Sequence, residues 1–199
     1  MKVNRIFLET IINYKHASSK DETRPFLQTV AIRRKSNSDN IELTSCDGHI
    51  AIRSNHTVVA NDLTANEGEY YLLPTSEIDS IKLFLKKYKL YNTFELTLDY
   101  PYLSLGINEA GKEELNIKLL NREYPKIDPI YDKRFDGTLD QLYLNPDFIT
   151  QLRKSVYGTS KKSVIRFKFE PSSELGPLRI VAKHEGIEHC MLIMPMRRE

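Results

Sequence analysis

The sequence has few of the residues that mark special classes of protein. It contains no tryptophan and only two cysteines, Cys46 and Cys190, which lie far apart in the chain. This spacing does not suggest a disulfide framework, so we expect both thiols to be reduced. Its 8 glycines and 9 prolines in 199 residues exclude a collagen-like or disordered chain.

Long apolar runs and a strong charge bias are also missing. No apolar stretch approaches the roughly 20 residues that span a bilayer. Charged residues interrupt the apolar pattern near the N terminus, so we expect no secretory signal and a cytoplasmic location. The net charge of +2 lacks the strong basicity of tight DNA-binding domains but permits one basic face.

Three segments carry apolar residues at helical spacing. We expect helices over 4–16, 76–90 and 146–157, with Ser76-x-x-Asp79 as a capping box and Asn145 as the N-cap before Pro146. On each helix these apolar residues form the face expected to point into the core. They are Phe7, Ile11 and Tyr14 on the first helix, Ile78, Ile81, Phe84, Leu85 and Tyr88 on the second, and Phe148, Leu152 and Val156 on the third.

Each predicted helix is followed by a run of predicted strands, which indicates a repeat. The strands are expected over 26–34, 41–46, 49–54, 70–73, 94–98, 103–107, 115–120, 142–144, 164–169, 178–182 and 190–195. A shift of about 71 residues places the apolar positions of the third helix-plus-strands unit on those of the second. Each unit has one apolar face and needs another unit to complete a two-layer core. The irregular connector over 122–138 is the best domain boundary.

Four stretches of the chain carry distinctive motifs: Thr23–Val30 (TRPFLQTV), Leu43–His49 (LTSCDGH), Arg122–Pro125 (REYP) and Leu192–Arg197 (LIMPMR). Together, and in this order, they resemble the bacterial sliding clamp family, the beta subunit of DNA polymerase III. The DGH hairpin and the terminal MPMR are fairly specific in combination. The chain is shorter than a family subunit and diverges from it.

The resemblance implies an α+β fold of the DNA-clamp type, with repeated helix-plus-antiparallel-strands units and the helices on one face of the sheets. Residues 1–130 would form a complete clamp-like domain of two units. Residues 131–199 would form half a domain, the third unit, with a C-terminal client-binding tail. A ring of six complete domains would then require four chains, although a smaller or open assembly is an equal alternative.

The resemblance also implies a function without catalysis: a DNA polymerase processivity factor that oligomerises around duplex DNA. Its partners would be double-stranded DNA, a DNA polymerase and a clamp loader. Cations on the helices would contact phosphates, although an ordinary solvated helix face is the simpler interpretation of the residues alone. The candidates are Lys15, Lys82, Lys86, Lys89, Arg153, Lys154, Lys161 and Lys162.

The family binds client peptides in an apolar pocket on its outer surface. Matching positions here are Leu27, Gly48, His49, Pro125, Leu192, Met194, Pro195 and Met196. Plain core packing explains Leu27 and Leu192 equally well. Ile50 and Ala51 after DGH, and Arg198 and Glu199 at the end, depart from the family pattern, so the clients can differ.

Two alternatives stay open. A clamp-derived adaptor or decoy would bind clamp-motif peptides without encircling DNA. An enzyme finds support only in the cluster from His184 to Cys190, which contains usable metal ligands where a hairpin turn is expected. We assign no catalytic residue, metal or cofactor.

Overall fold

The computed structural model describes residues 1–35, 40–58, 68–107, 113–133, 143–158, 168–171 and 176–194. Its helices are α1 (Arg5–Tyr14), α2 (Ile78–Lys87), the short α3 (Asp128–Tyr131) and α4 (Pro146–Tyr157). Two antiparallel sheets accompany them. The predicted α+β class and the three predicted long helices are confirmed.

The strands follow the predicted order closely. They are β1 (Lys2–Asn4), β2 (Thr29–Arg34), β3 (Asn40–Cys46), β4 (Ile50–Thr57), β5 (Tyr70–Pro74), β6 (Thr93–Asp99), β7 (Tyr102–Gly106), β8 (Leu115–Lys118), β9 (Lys168–Pro171), β10 (Leu178–His184) and β11 (Ile187–Ile193). The strand predicted over 142–144 is wrong for the two of its residues that the structure describes. Tyr143 and Leu144 lie outside any strand, and Leu142 lies outside the described residues. Tyr143 is 44% exposed, which agrees with the lack of a neighbouring strand beside it in the described part of the chain.

The first two units exchange their first strands. The four-stranded sheet has the order β1-β6-β7-β8, so β1 of the first unit pairs with β6 of the second. In return, β5 of the second unit pairs with β2 of the first. The two units are therefore interlocked through their sheets.

The third unit extends the sheet of the first. Strand β11 pairs antiparallel with β4, with His189 opposite Ser54 and Ile193 opposite Ile50. The result is one seven-stranded sheet with the order β5-β2-β3-β4-β11-β10-β9. Because this sheet runs through both parts of the chain, the division at residue 130 stays a prediction.

The main core lies between the helices and one face of the sheets. Alternating strand residues such as Val30 and Ile32 point into it, together with Phe7, Ile11 and Leu152 of the helices. Each of these five side chains is almost fully buried. Burial of a side chain this size stabilises the fold by about 1.5–3 kcal/mol before entropic costs.

Two of the helices begin at a side-chain cap. The Asn4 side chain accepts from the Phe7 amide. The Asn145 side chain accepts from the Asp147 amide, which confirms the N-cap predicted there. The predicted capping box at Ser76 is wrong. A 3-10 turn over Thr75–Glu77 precedes α2, and neither start has a side-chain cap.

A second apolar cluster covers the opposite face of the seven-stranded sheet. Connector residues Tyr124, Ile127 and Tyr131 pack there, against small or apolar strand residues that include Ala31 and Leu192. The connector therefore crosses the sheet on the face away from the helices. Among the described helices, none has the length and apolar character to cross a membrane.

Candidate nucleic-acid interface and peptide site

The helices form a layer in which α1 contacts both α2 and α4. Helix α1 runs antiparallel to α2, because its first residue and its end contact opposite ends of α2. The Arg5 guanidinium donates to the carbonyls of Leu85 and Tyr91 beside the C-terminal end of α2. Just after α1, the Lys15 ammonium donates to Asp79 at 2.8 Å, near the start of α2.

The lysine stripe predicted on α2 is exposed to solvent at Lys82, Lys86 and Lys89. At about 100° per residue Lys82 and Lys86 fall on the same flank as Asp79, which contacts Lys15, whereas Lys89 lies beyond the end of α2 at Lys87 and outside this helical projection. Lys82 and Lys86 therefore lie on the side of α2 that is turned toward α1. In the described part of the chain these three lysines form no ion pair.

Cations from three helical segments converge near His16. Burial lowers the pKa of His16, and the charges of Lys154, Lys15, Lys82 and Lys20 lower it further, in that order. Lys82 belongs to α2, Lys154 to α4, and the other two lysines follow α1. The three units thus place positive charge in one area, which we call the lysine cluster: Lys15, Lys20, Lys82 and Lys154.

Sequence reasoning missed two members of this area, His16 and Lys20. His16 is the last residue of the predicted helix and lies off its apolar stripe, and Lys20 lies in the polar run that follows, which carries no periodicity. A run of this kind is normally assigned to a solvated turn. The only signal in the sequence was that these two residues stand close behind a candidate cation, Lys15, at the end of a predicted helix.

One carboxylate lies at the border of the lysine cluster. Asp79 accepts a hydrogen bond from Lys15, and this bond, together with the Lys15 and Lys82 charges, holds the pKa of Asp79 below its usual value. Asp79 therefore stays ionised at neutral pH and offsets part of the Lys15 charge.

The remaining candidate cations are less well placed or lie outside the described residues. Lys154 is exposed on α4, and its neighbour Arg153 is half-buried. Lys161 and Lys162 lie outside the described residues, as do Pro195 and Met196 of the candidate peptide pocket.

The structure brings several predicted pocket residues together on the other side of the sheet. Leu27 and Leu192 share the second apolar cluster, but each is only 4% exposed, beneath Tyr124 and Tyr131. They therefore form the floor of this region and are not open to a peptide. Pro125 follows Tyr124 and is half-buried.

A second group of predicted pocket residues is exposed. The Met194 amide donates to the His49 carbonyl at 2.9 Å, and the Met194 residue is 42% exposed. The His49 ring stacks on Phe148 of α4, with centroids 5.7 Å apart. Gly48 has φ of 99°, a conformation that favours glycine, in the turn that presents His49.

An ion network holds the connector to the sheet. Asp128 accepts from both terminal nitrogens of Arg33, at 2.6 and 3.0 Å, and from Arg53 at 3.3 Å. Arg33 also donates to Glu42 at 2.6 Å, and the Glu42 side chain is 1% exposed. The hydrogen bonds from Arg33 hold the pKa of Asp128 below its usual value.

A buried chain of polar side chains lies beneath α1. The Tyr14 hydroxyl donates to Ser54 Oγ at 2.8 Å and lies 3.0 Å from His189 Nδ1, and Ser54 Oγ lies 2.9 Å from His56 Nε2. A consistent proton arrangement has His189 Nδ1–H donating to Tyr14 and Ser54 donating to His56. Burial lowers the pKa of His56 to about 4 and that of His189 to about 3, so both rings are neutral at pH 7.

The cluster considered for metal binding is occupied by packing contacts. The His189 ring belongs to the buried chain, and the His184 ring packs on Tyr157 with centroids 4.7 Å apart. Within the described ranges, no group of three His, Cys, Asp or Glu side chains is placed to hold a metal ion.

Solved sliding clamps share this fold. The DNA polymerase III beta subunit of Thermotoga maritima matches with a TM-score of 0.76 and 14% identity, covering 100% of this chain and 65% of that chain. The Streptococcus pneumoniae beta chain matches with a TM-score of 0.76 and 15% identity, covering 100% and 64%. The sliding clamp of Bartonella birtlesii, bound to griselimycin, matches with 0.73 and 14%, covering 99% and 66%.

The chain thus has the sliding-clamp fold and spans about two thirds of the length of these clamps. The predicted fold type, with repeated units whose helices lie on one face of the sheets, is confirmed. No protein-family model matches the sequence, and no curated protein matches it.

Proposed function

We propose that the chain is a sliding-clamp-like processivity factor, which holds duplex DNA against its helix layer and tethers a DNA polymerase on the opposite side. The observation that carries this proposal is the lysine cluster. Its members Lys15, Lys20, Lys82 and Lys154 come from three helical segments and lie near the His16 ring. The likeness to solved sliding clamps supports it.

The chemistry of the lysine cluster suits a protein that must move along DNA. Lysine ammonium groups on flexible stems contact phosphates without reading bases, so the attraction is independent of sequence. Each neutralised phosphate releases condensed counterions, which makes the binding sensitive to salt. Contacts of this kind are attractive at every position along the duplex, so the protein can slide.

The proposed assembly follows from the unit count. Residues 1–130 correspond to a complete clamp-like domain of two units, and residues 131–199 to a third unit that is half a domain. A ring of six complete domains contains twelve units and therefore requires four chains. A smaller or open assembly is the equal alternative, and native mass distinguishes the two.

The proposed client site lies around Met194. Met194 and His49 are exposed and joined by a backbone hydrogen bond, and Phe148 extends the surface by stacking on His49. Leu27 and Leu192 would support this site from below. A flexible methionine beside two flat rings suits a short apolar peptide motif.

The lysine cluster is tested by the salt dependence of DNA binding. The double variant Lys82→Ala with Lys154→Ala should bind short duplex DNA more weakly, and its plot of log affinity against log salt should be shallower by about 2. A matched control, Lys126→Ala with Lys183→Ala, removes two exposed lysines that lie away from the lysine cluster. Equal salt slopes for both variants would refute the proposed DNA surface.

Encirclement is tested separately, by native mass and by retention on circular DNA. A closed ring should remain on circular DNA after a salt wash and slide off the same DNA once it is linearised. A strict monomer that leaves both forms equally fast would rule out the ring.

A second candidate function is a clamp-derived adaptor that binds clamp-motif peptides without encircling DNA. The observation that favours it is the unit count, because the described chain contains no complementary half for the third unit. Peptide binding without salt-dependent DNA affinity would select this function. Both functions require weaker peptide binding after Met194→Ala with Met196→Ala.

A further inference from the structure

We propose that the cavity between α1, the C-terminal end of α4 and the turn between β10 and β11 binds a small organic cation. The ligand would carry an ammonium or guanidinium head on a short apolar chain. The cavity has a volume of about 390 Å³, which is within the range of small-molecule sites. This inference goes beyond the proposed function, because binding of such a cation needs neither DNA nor a polymerase.

The cavity lies where the first and third units meet. Helix α1 lines it with Ile6, Glu9 and Asn13, which are three or four residues apart and so share one helix face. Gly158, directly after α4, lines it from the other helix. A Cβ atom added to Gly158 would lie 2.8 Å from Asn13 Oδ1, so glycine at this position lets the two helices approach closely. Glu185, in the turn after β10, also belongs to the wall.

A buried hydrogen-bond acceptor faces the cavity. His189 lines it and is only 2% exposed. Its Nδ1 lies 3.0 Å from the Tyr14 hydroxyl, which is not part of the wall, so the other edge of the ring, with Nε2, is turned to the cavity. No described residue forms a hydrogen bond with Nε2. Burial lowers the pKa of His189 to about 3, so the ring is neutral and Nε2 is an acceptor at pH 7. A buried acceptor without a donor costs free energy, and a ligand N–H removes this cost.

Two carboxylates favour a positively charged ligand. Glu9 and Glu185 both line the cavity, and no lysine or arginine is among the lining residues that the structure describes. Arg5 donates to Glu9 Oε1 at 3.1 Å, whereas Oε2 of the same carboxylate accepts no hydrogen bond from the described residues. The end of α4 adds the partial negative charge of a helix C terminus. These surroundings attract a cation and repel an anion.

The remaining walls favour an organic cation over a metal ion. Val156 and Tyr157 line the cavity, and the Tyr157 ring packs on the His184 ring with centroids 4.7 Å apart. An alkyl chain gains free energy by covering apolar surface, and a cationic head gains it by lying over an aromatic face. A metal ion needs several ligands at short range, and no group of three His, Cys, Asp or Glu side chains in the described ranges offers them.

Isothermal titration calorimetry of the full chain with butane-1,4-diamine tests the binding. The diamine should bind with a dissociation constant of about 1 mM or lower, a modest affinity for a ligand of this size. Butane-1,4-diol has the same length without the charge and should not bind. Magnesium chloride at the same concentration should not displace the diamine.

A second amine identifies the source of the cation. The amide of Nα-acetyl-lysine carries the ammonium head as a protein side chain does. Tighter binding of this compound than of the diamine would assign the cavity to a lysine side chain of a partner. Tighter binding of the diamine would assign it to a free amine. Both results support an organic cation.

Nitrogen-15 NMR of the histidine rings tests the role of His189 without a mutation. The diamine should move the His189 Nε2 signal to lower frequency, because this nitrogen then accepts a hydrogen bond. The signal of the exposed His49 ring, which does not line the cavity, should stay in place.

Charge-neutralising variants test the location. Glu185→Gln should weaken diamine binding about threefold, because an exposed carboxylate contributes about as much as a surface ion pair. Glu188→Gln is the matched control, since Glu188 is an exposed carboxylate on the same hairpin but does not line the cavity. Its affinity for the diamine should equal that of the wild type. Thermal unfolding without ligand checks that both variants are folded.

Four outcomes overturn the inference. They are no binding of either amine at about 10 mM, equal binding of the diamine and the diol, an unmoved His189 signal at saturating diamine, and equal affinities of Glu185→Gln and Glu188→Gln. Amine binding by a chain without salt-dependent affinity for DNA would instead refute the proposed function and leave this inference standing.

Discussion

The two faces of the seven-stranded sheet carry cations with different surroundings. On the face covered by the connector, Arg33 and Arg53 contact the carboxylates of Glu42 and Asp128. In the helix layer on the other side, Lys82 of α2 and Lys154 of α4 are exposed, and neither belongs to an ion pair of the described residues. Cations that pair with carboxylates hold this fold together, whereas the exposed lysines remain available for a ligand.

The choice of side chain agrees with this division. The Arg33 guanidinium lies 4.7 Å from the centroid of the Tyr70 ring, and the Arg53 guanidinium lies 3.9 Å from that of Tyr131. A planar guanidinium can stack on a ring and form paired hydrogen bonds at once. The helix face uses lysine, whose compact charge on a flexible stem suits changing phosphate contacts.

The largest expected effect is on the connector face. Arg33→Ala should lower the free energy of unfolding by about 3 kcal/mol, because it leaves the buried Glu42 carboxylate without its closest partner. Urea denaturation measures this effect. Arg24→Ala is the matched control, because Arg24 pairs with Asp21 at the surface and its loss should cost less than about 1 kcal/mol. Equal losses of stability in the two variants would show that the Arg33 network contributes no more than a surface ion pair.

Acid should destabilise the two faces in different pH ranges. The folded-state pKa values of His56 and His189 are about 4 and about 3, below the ordinary value of 6.5. The unfolded chain therefore binds protons first, and stability falls as the pH drops below 6.5, by about 2 kcal/mol per histidine at pH 5. The Asp128 pKa is lowered from 3.8, so the stabilisation by this carboxylate is lost only below that value.

Urea denaturation at a series of pH values would separate these contributions. His56→Gln should flatten the loss between pH 6.5 and 5, because one titrating group is removed. Replacement of the exposed His49 by Gln should leave that loss unchanged. An unaltered pH profile in His56→Gln would contradict the assignment to the buried chain.

A small effect is expected when lysines are removed from the helix face. Lys82→Ala with Lys154→Ala should change the free energy of unfolding by less than about 0.5 kcal/mol, since exposed groups without partners contribute little. A slight gain would reflect the relief of repulsion near His16. Thermal unfolding in low salt is the suitable measurement. A loss above 2 kcal/mol would show that these lysines are structural.

The smallest effect concerns Asp79, the carboxylate that contacts Lys15 of the lysine cluster. Asp79→Asn removes the charge that pairs with Lys15 and should raise the affinity for duplex DNA about threefold at low salt. Binding titrations at two salt concentrations measure it, with Glu77→Gln as a control on the neighbouring turn. Weaker binding of Asp79→Asn would mean that this ion pair positions Lys15.

The sequence predicted the helices and most strands because local periodicity determines them. Phe7, Ile11 and Tyr14 recur at helical spacing and face the core as expected. The errors occur where local signals compete. At Ser76 a 3-10 turn replaces the capping box, and Asp79 contacts Lys15 of another unit instead.

Long-range features of the candidate site could not be predicted in the same way. Arg33 and Asp128 are 95 positions apart, and their pairing depends on the path of the connector across the sheet. The contact between His49 and Met194 depends on the pairing of β4 with β11. The motif resemblance named His49 and Met194 together, but periodicity alone gave no reason to join them.

The exchange of first strands has a consequence for how the molecule comes apart. Because β1 completes the sheet of the second unit and β5 that of the first, neither unit can unravel without opening an edge in the other. The first two units therefore melt as one cooperative block. The third exchanges no strand with the first two in the described residues and is joined to them by the β4–β11 pairing, the α1–α4 contact and the Tyr14–His189 contact, so we expect it to detach before the first two separate.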